Sequence, residues 1–236
     1  MKKTIVTLAL CVLTLNTAFA QFDAAMFVSD AFLLDTYIKR QNKDVNFKDT
    51  KSYKGSPYNN PNFLLGNIYK EGKLLADKVA IRYNAVADEM EVKQFLNDSD
   101  DDARVLTKSQ DIYVKIVDDI YVFVAYQGGI EKGGYFQVTF EGNNIALYKK
   151  HIKDFSPEKK ASSSITKTFP AVFKDKPVFY IVTKSGKFYQ MPKSRTKKLK
   201  VFGGKQKQMK DFTKQNNLDL NNEQDLITAV KYYDTL

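Results

Sequence analysis

The sequence has very few of the residues that most often carry catalysis or bind metals. Its 236 residues include one Cys, one His and no Trp. Most zinc sites draw several ligands from Cys and His, and the familiar nucleophilic triads need a His beside a nucleophile and an orienting acid. A single His therefore excludes most sites of both kinds. We expect a protein that is not an enzyme and that carries no metal and no cofactor.

The only Cys lies inside a predicted export signal, residues 1–20. Two lysines precede an uncharged, mostly apolar run over residues 4–15, and the small residues Ala18 and Ala20 follow it. This pattern is typical of a secretory signal peptide that is cleaved before Gln21. The apolar run is shorter than the ~20 residues that a transmembrane helix needs. An uncleaved signal anchor is the alternative interpretation.

Cleavage would leave a mature chain, residues 21–236, that has no cysteine and no second apolar stretch able to span a bilayer. Its stability must come from its core, because a chain without cysteine forms no disulfide even in an oxidising compartment. We expect the protein in the periplasm or on the periplasmic side of the outer membrane, with the extracellular space as the alternative.

The positive charge of the chain is concentrated in one segment. Lys and Arg number 37 against 27 Asp and Glu, a formal net charge of +10. Residues 187–214 hold ten basic side chains and one acidic side chain, a net charge of +9. The rest of the mature chain sums to −1. The sequence thus predicts a nearly neutral domain with one cationic segment.

This cationic segment predicts a docking surface for an anionic partner, either an envelope protein or another anionic envelope surface such as lipid or acidic polysaccharide. Because we expect the protein to be exported, we do not expect nucleic acid to be its partner. Nine of the ten cations are Lys, which suits surface attraction better than bidentate recognition by Arg. The alternative is a solvated helix face without a partner. The candidate binding residues are Lys197, Lys198, Lys200, Lys205, Lys207, Lys210 and Lys214.

Hydrophobic periodicity divides the mature chain into three parts. Residues 21–54 predict a helix over 23–40, with Phe27, Ala31, Leu34 and Ile38 on one face, followed by an exposed linker.

Residues 55–192 alternate between apolar and polar side chains in short runs separated by Gly, Asn and Asp, which is typical of antiparallel strands. We expect a mainly β fold of nine to eleven strands, an antiparallel meander that forms a sandwich or an open barrel. Residues 193–236 return to helical spacing and predict a basic unit of two or three helices packed on the sheet. Asn221 or Asn222 is suited to cap the last of these helices.

Two isolated features are weak candidates for chemistry. Residues 97–102 are rich in Asp, but an EF-hand loop begun at Asp98 would place Ala103 where Gly is needed and Ser109 where Glu is needed. An acidic turn is the better interpretation, and calcium binding stays open. His151 follows two lysines at a strand end, where we expect it to be exposed and without a catalytic role.

The sequence also resembles a family of secreted Bacteroidota proteins that has no assigned function. The resemblance rests on G-S-P-Y at 55–58 with F-L-L-G-N-I-Y at 63–69, on I-R-Y-N-A-V-A-D-E-M-E-V at 81–92, and on the C-terminal segments 205–218 and 225–236. It implies export rather than an activity, and no catalytic residue is carried over. The motif positions are Gly55, Ser56, Pro57, Tyr58, Arg82, Tyr83, Asn84, Asp88 and Glu89.

These observations favour a non-catalytic binding or adaptor protein of the cell envelope, such as an accessory subunit of an outer-membrane assembly or secretion complex. Two alternatives stay open. One is a periplasmic carrier that holds a lipid or another small apolar ligand inside its sheet. The other is a hydrolase that uses dispersed carboxylates such as Asp88, Glu89, Asp118 and Asp119.

Overall fold

The computed structural model describes residues 38–40 and 53–236, apart from 127–129, 131–132, 164 and 166. The fold is mainly β, as predicted, with three α-helices near the C-terminus. The strands are β1 (Ile38–Arg40), β2 (Tyr53–Lys54), β3 (Leu64–Lys70), β4 (Lys73–Asn84), β5 (Glu89–Lys93), β6 (Arg104–Leu106), β7 (Ile112–Ile116), β8 (Asp119–Val124), β9 (Gly134–Glu141), β10 (Ile145–Lys150), β11 (Lys153–Ser156), β12 (Ala171–Asp175), β13 (Val178–Thr183) and β14 (Phe188–Gln190). The helices are α1 (Arg195–Lys200), α2 (Gln206–Gln215) and α3 (Glu223–Asp234).

Eleven strands form one antiparallel sheet in the order β1-β6-β5-β4-β3-β7-β8-β9-β10-β13-β14. Most neighbours in this order are also neighbours in sequence, so the predicted meander is confirmed. The edge strands β1 and β14 do not pair with each other, and the sheet is open. A second sheet has the order β11-β12-β2. Twelve strands lie within residues 55–192, slightly more than the nine to eleven expected, because several are only three to five residues long.

In β7 the alternation that predicted the strand reflects burial on one face. In β7 the side chains of Ile112, Val114 and Ile116 are buried while those between them are partly exposed. The β3–β4 hairpin turns at Glu71 and Gly72, whose φ angles of 51° and 78° suit a two-residue hairpin. Sequence alternation and turn chemistry therefore agree in this region.

The large sheet curls strongly around its core. Tyr83 on β4 and Tyr135 on β9 are four strands apart in the sheet, which would separate them by about 19 Å in a flat sheet. Their ring centroids are 6.1 Å apart. The curl fills the interior with side chains from β3 to β9, including Ile68, Ile81 and Met90, which are fully buried.

The C-terminal helices pack on the sheet and share a core with it. Leu147 of β10 and Ile181 of β13 contact an apolar cluster that contains Phe202, Met209 and Val230 from the helical region. The predicted unit of two or three helices packed on the sheet is therefore confirmed, and it has three α-helices. The cap of α3 is also confirmed, since the Asn222 side chain accepts hydrogen bonds from two backbone N–H groups of the first turn.

The prediction of a helix over residues 23–40 is wrong at its end. Residues 38–40 form strand β1, in which Ile38 pairs with Leu106 and Arg40 pairs with Arg104 of β6. Pairing with a strand distant in sequence overrides the local helical spacing there. Residues 23–37 of that helix, the signal 1–20 and residues 41–52 of the predicted linker lie outside the described residues.

None of the helices in the described part of the chain is both long enough and apolar enough to cross a lipid bilayer.

Candidate functional site

The motif residues 55–58 form a segment that contacts two other parts of the β region. Gly55 has a φ of 82°, and a Cβ atom there would lie 2.5 Å from the carbonyl oxygen of Phe173. The Ser56 hydroxyl accepts a hydrogen bond from the Tyr58 N–H at 3.1 Å, and the Pro57 carbonyl accepts one from the Ala85 N–H at 3.0 Å. This segment therefore ties the start of the β region to both β12 and the end of β4.

Arg82, which contacts Tyr58 of this segment, lies at the centre of a buried ionic cluster. Its guanidinium donates to Oε2 of the fully buried Glu91 at 3.0 and 2.7 Å and to Asp100 at 3.0 Å. The guanidinium carbon also lies 3.8 Å from the ring centroid of Tyr58 and 4.1 Å from that of Phe63. A cation held by two carboxylates and two aromatic rings has a structural role.

The acidic turn completes the same cluster. Lys93 is buried, and its Nζ donates to Asp100 at 2.9 Å and to the carbonyl of Asp98 at 2.8 Å. The hydrogen bond from Lys93 and the charges of Arg82 and Lys93 lower the pKa of Asp100, although burial opposes them. Asn84 donates to Glu91 at 3.2 Å. The Asp100 carboxylate thus already has two cationic partners.

Asp88 forms a second hub, on the inner face of the curled sheet. Its Oδ1 accepts hydrogen bonds from the Tyr83 hydroxyl at 2.7 Å, the Tyr135 N–H at 3.0 Å and Lys150 Nζ at 2.8 Å. Lys108 lies 3.6 Å from Oδ2. Asp88 therefore joins the β4–β5 turn to β9 and β10 across the mouth of the curl.

Gly134 is the residue that makes room for this hub. Its φ is 139°, and a Cβ atom there would collide with the Asp88 carboxylate and with Lys150 Nζ. Burial lowers the pKa of Lys150, and the Asp88 charge opposes that effect. Burial also raises the pKa of Tyr83 well above its usual value. Lys150 and the Tyr83 hydroxyl both donate hydrogen bonds to the Asp88 carboxylate.

His151 is buried, so the expectation that it is exposed is wrong. Only 7% of its surface is accessible, and its Nε2 lies 2.7 Å from Oε1 of Gln137. Burial and the charges of Lys149 and Lys153 lower its pKa to about 3. The curl causes this burial, because it brings the rings of Tyr83 and Tyr121 to about 6 Å from the imidazole.

The four dispersed carboxylates have different surroundings in the structure. Asp88 has the donors described above, and Asp119 accepts a hydrogen bond from Gln137 at 2.7 Å. Burial raises the pKa of Glu89, which lies in β5, and Asp118 is exposed in the β7–β8 turn. No nucleophile and base face each other among these side chains in the described structure.

Lys198 is the one member of the candidate lysines that points inward. It is buried on α1, and its Nζ donates to the carbonyl of Leu220 at 2.6 Å and to Oδ1 of Asn221 at 3.0 Å. Burial lowers its pKa, while Asp219 opposes the shift. Lys198 fixes α1 to the segment before α3 and is not available to a partner. Its position four residues before the fully buried Phe202 was a signal of this role.

The other six candidate lysines define what we call the lysine surface. Five are exposed and Lys205 is half-buried. On α2 the spacing of three and four places Lys207, Lys210 and Lys214 along one face, opposite the buried Met209. The lysine surface consists of Lys197, Lys200, Lys205, Lys207, Lys210 and Lys214.

The lysine surface has unpaired charge. Between described residues, no ion pair within 4.0 Å involves any of its six lysines. The buried Arg82 and Lys93 and the half-buried Lys149 and Lys150, in contrast, each have a carboxylate partner. Asp211 is the only acid in the segment that carries the lysine surface, residues 197–214. This arrangement can attract a multivalent anion.

Two small clefts lie on the described surface. One, of about 100 Å³, is lined by Asn59, Asp119 and Tyr121 among others. Another, of about 160 Å³, lies beside Asn67 and Lys115. Pockets for small molecules usually measure ~300–1,000 Å³. Neither cleft approaches that size.

No family model, curated protein or solved structure matches this chain.

Proposed function

We propose that this protein is a non-catalytic binding or adaptor protein of the cell envelope that docks on an anionic partner through its lysine surface. The observation that carries the proposal is the set of six lysines on the C-terminal helical unit that have no carboxylate partner. Association with an outer-membrane assembly or secretion complex would place such an adaptor at the envelope.

The packing of the helices supports this role. Met209 and Thr213 of α2 are buried, so the helix is held against α1 and α3 by the face opposite its lysines. A fixed helix presents Lys207, Lys210 and Lys214 together and loses little freedom on binding. The mainly β body then serves as a scaffold for a rigid charged surface.

The interior of the sheet favours an adaptor over a carrier. The curl is filled by large buried side chains, among them Tyr83, Tyr121 and Tyr135. A carrier of this architecture needs an enclosed space for its ligand. The donors and ions around Asp88 likewise favour a structural role over hydrolysis, because its acceptor atom already has three hydrogen bonds.

Retention on a heparin resin, used as a generic polyanion, tests the proposal. The variant combines Lys207→Gln, Lys210→Gln and Lys214→Gln. The matched control combines Lys73→Gln, Lys160→Gln and Lys174→Gln, three exposed lysines of the β region that take part in no ion pair between described residues.

Both variants lose the same net charge. The proposal predicts that the α2 variant elutes at a clearly lower salt concentration than the control, which stays near the wild type. Equal elution of the two variants would show that only net charge matters and would overturn the proposal.

A further inference from the structure

We infer that the anionic partner of the lysine surface is the headgroup layer of an anionic phospholipid membrane. This inference rests on the proposed function and names the chemistry of its partner. The protein would lie on the leaflet through Lys–phosphate attraction, with its β body directed away from the lipid.

The composition of the surface argues against a protein as the partner. Between residues 191 and 235, which the structure describes completely, no large apolar side chain is exposed. Stable protein interfaces have an apolar core in which aromatic residues and Arg are enriched and Lys is depleted. The lysine surface has the opposite composition. It lacks the apolar anchor that a protein partner would bury.

The type of cation argues for lipid over an acidic polysaccharide. All six cations of the surface are Lys, which acts as a mobile point charge. The planar fork of Arg matches fixed carboxylate groups bidentately, whereas Lys binds phosphate as a point charge. Lipid headgroups move within their leaflet and can adjust to the lysine spacing. The three lysines of α2 span about 10 Å along the helix axis, a length that several headgroups can cover.

The orientation of α2 predicts adsorption without insertion. Its apolar side chains Met209 and Phe212 face the core, where Phe212 stacks on Tyr232 with ring centroids 3.9 Å apart. An interfacial helix that inserts would direct such side chains toward the lipid. Binding should therefore be electrostatic and should disappear at high salt.

Sedimentation with lipid vesicles tests the inference. The exported form of the protein is mixed with vesicles of phosphatidylcholine that contain about one third phosphatidylglycerol, and with vesicles of phosphatidylcholine alone. The expected result is binding to the anionic vesicles only. Each lysine near an anionic leaflet contributes about a fivefold gain in partitioning, so the α2 variant should lose about one hundred-fold.

The β-region control carries the same charge and should partition like the wild type on the anionic vesicles. A salt series with the wild type gives an independent readout, since its binding should fall steeply as salt rises. Equal losses in both variants, or salt-independent binding, would overturn the inference. Retention on heparin without any binding to anionic vesicles would overturn the lipid assignment while leaving the proposed function intact.

Discussion

His151 is the only His in the chain, so any effect of a His side chain on the pH dependence of the unfolding free energy comes from this residue. Its folded pKa of about 3 lies below the value of ~6.5 expected in the unfolded chain. Between these two values the unfolded chain binds more protons than the folded chain. The stabilisation is fully present above pH ~6.5 and is lost as the pH falls toward the folded pKa.

We predict that the free energy of unfolding falls by about 2 kcal/mol between pH ~7 and pH ~5. Few carboxylates titrate in that range, so the His151→Gln variant should show a much flatter dependence. Chemical denaturation at several pH values measures the unfolding free energy of the wild type and of the variant. A folded-state imidazole signal that titrates near its unperturbed pKa would contradict the burial.

Asp88 is a hub whose loss should damage the fold. In the Asp88→Ala variant, Lys150 and the Tyr83 hydroxyl lose their carboxylate while both stay largely buried. Breaking such a pair costs about 3 kcal/mol of unfolding free energy. The exposed Asp118→Ala is the control and should stay within about 0.5 kcal/mol of the wild type. A small effect at Asp88 in urea denaturation would show that the hub contributes little.

Helix α3 is attached to the β9–β10 turn through one carboxylate. Asp234 accepts hydrogen bonds from the backbone N–H groups of Asn143 at 2.8 Å, Asn144 at 2.7 Å and Ile145 at 3.0 Å. Burial raises the pKa of Asp234, but these hydrogen bonds outweigh it, and the net shift is downward. The attachment is therefore present above the usual Asp pKa and is lost as the pH falls through the lower folded value.

We predict that Asp234→Ala lowers the unfolding free energy by about 1 kcal/mol at neutral pH and that the loss shrinks in acid. The exposed Lys231→Ala on the same helix is the control. Thermal melts at neutral and acid pH give the comparison. A loss that is the same at both pH values would argue against a role for the Asp234 charge.

Strands and helices with strong periodicity could be predicted from the sequence, and those set by distant pairing could not. The alternation of β7 and the Asn222 cap are local signals, and the structure confirms them. The β13 strand is also present, but three consecutive residues in it are buried, so both of its faces are covered there. Strand β1 depends on β6, more than sixty residues away, so its own three residues carry no such signal.

The candidate site follows the same division. Helical spacing was enough to predict exposed lysines on α2, because the face of a helix is a local property. The burial of His151 depends on the curl, which brings together β4, β8 and β9. The hub at Asp88 likewise needs the Gly134 gap on a strand that is distant in the sequence. Neither could be predicted from alternation alone.

Export is a prediction for the whole chain that a single mass measurement tests. We predict that the protein recovered from a Gram-negative host begins at Gln21, because Ala18 and Ala20 suit signal cleavage. Ala20→Tyr should block the cut and retain residues 1–20. An intact mass for residues 1–236 in the wild type would contradict a cleaved signal.

The chain predicted to remain after signal cleavage concentrates its positive charge in residues 187–214, which carry +9, while its other residues sum to −1. We propose that polyanions bind to the lysine surface in particular, and that the net charge of the protein alone does not determine this binding. The most direct test is the salt dependence of heparin affinity, measured by titration for the wild type, the α2 triple variant and the β-region triple control. Binding that releases counterions gives a linear fall of the logarithm of the affinity with the logarithm of salt concentration. We predict a shallower slope for the α2 variant and an unchanged slope for the control. Identical slopes for all three proteins would contradict the account.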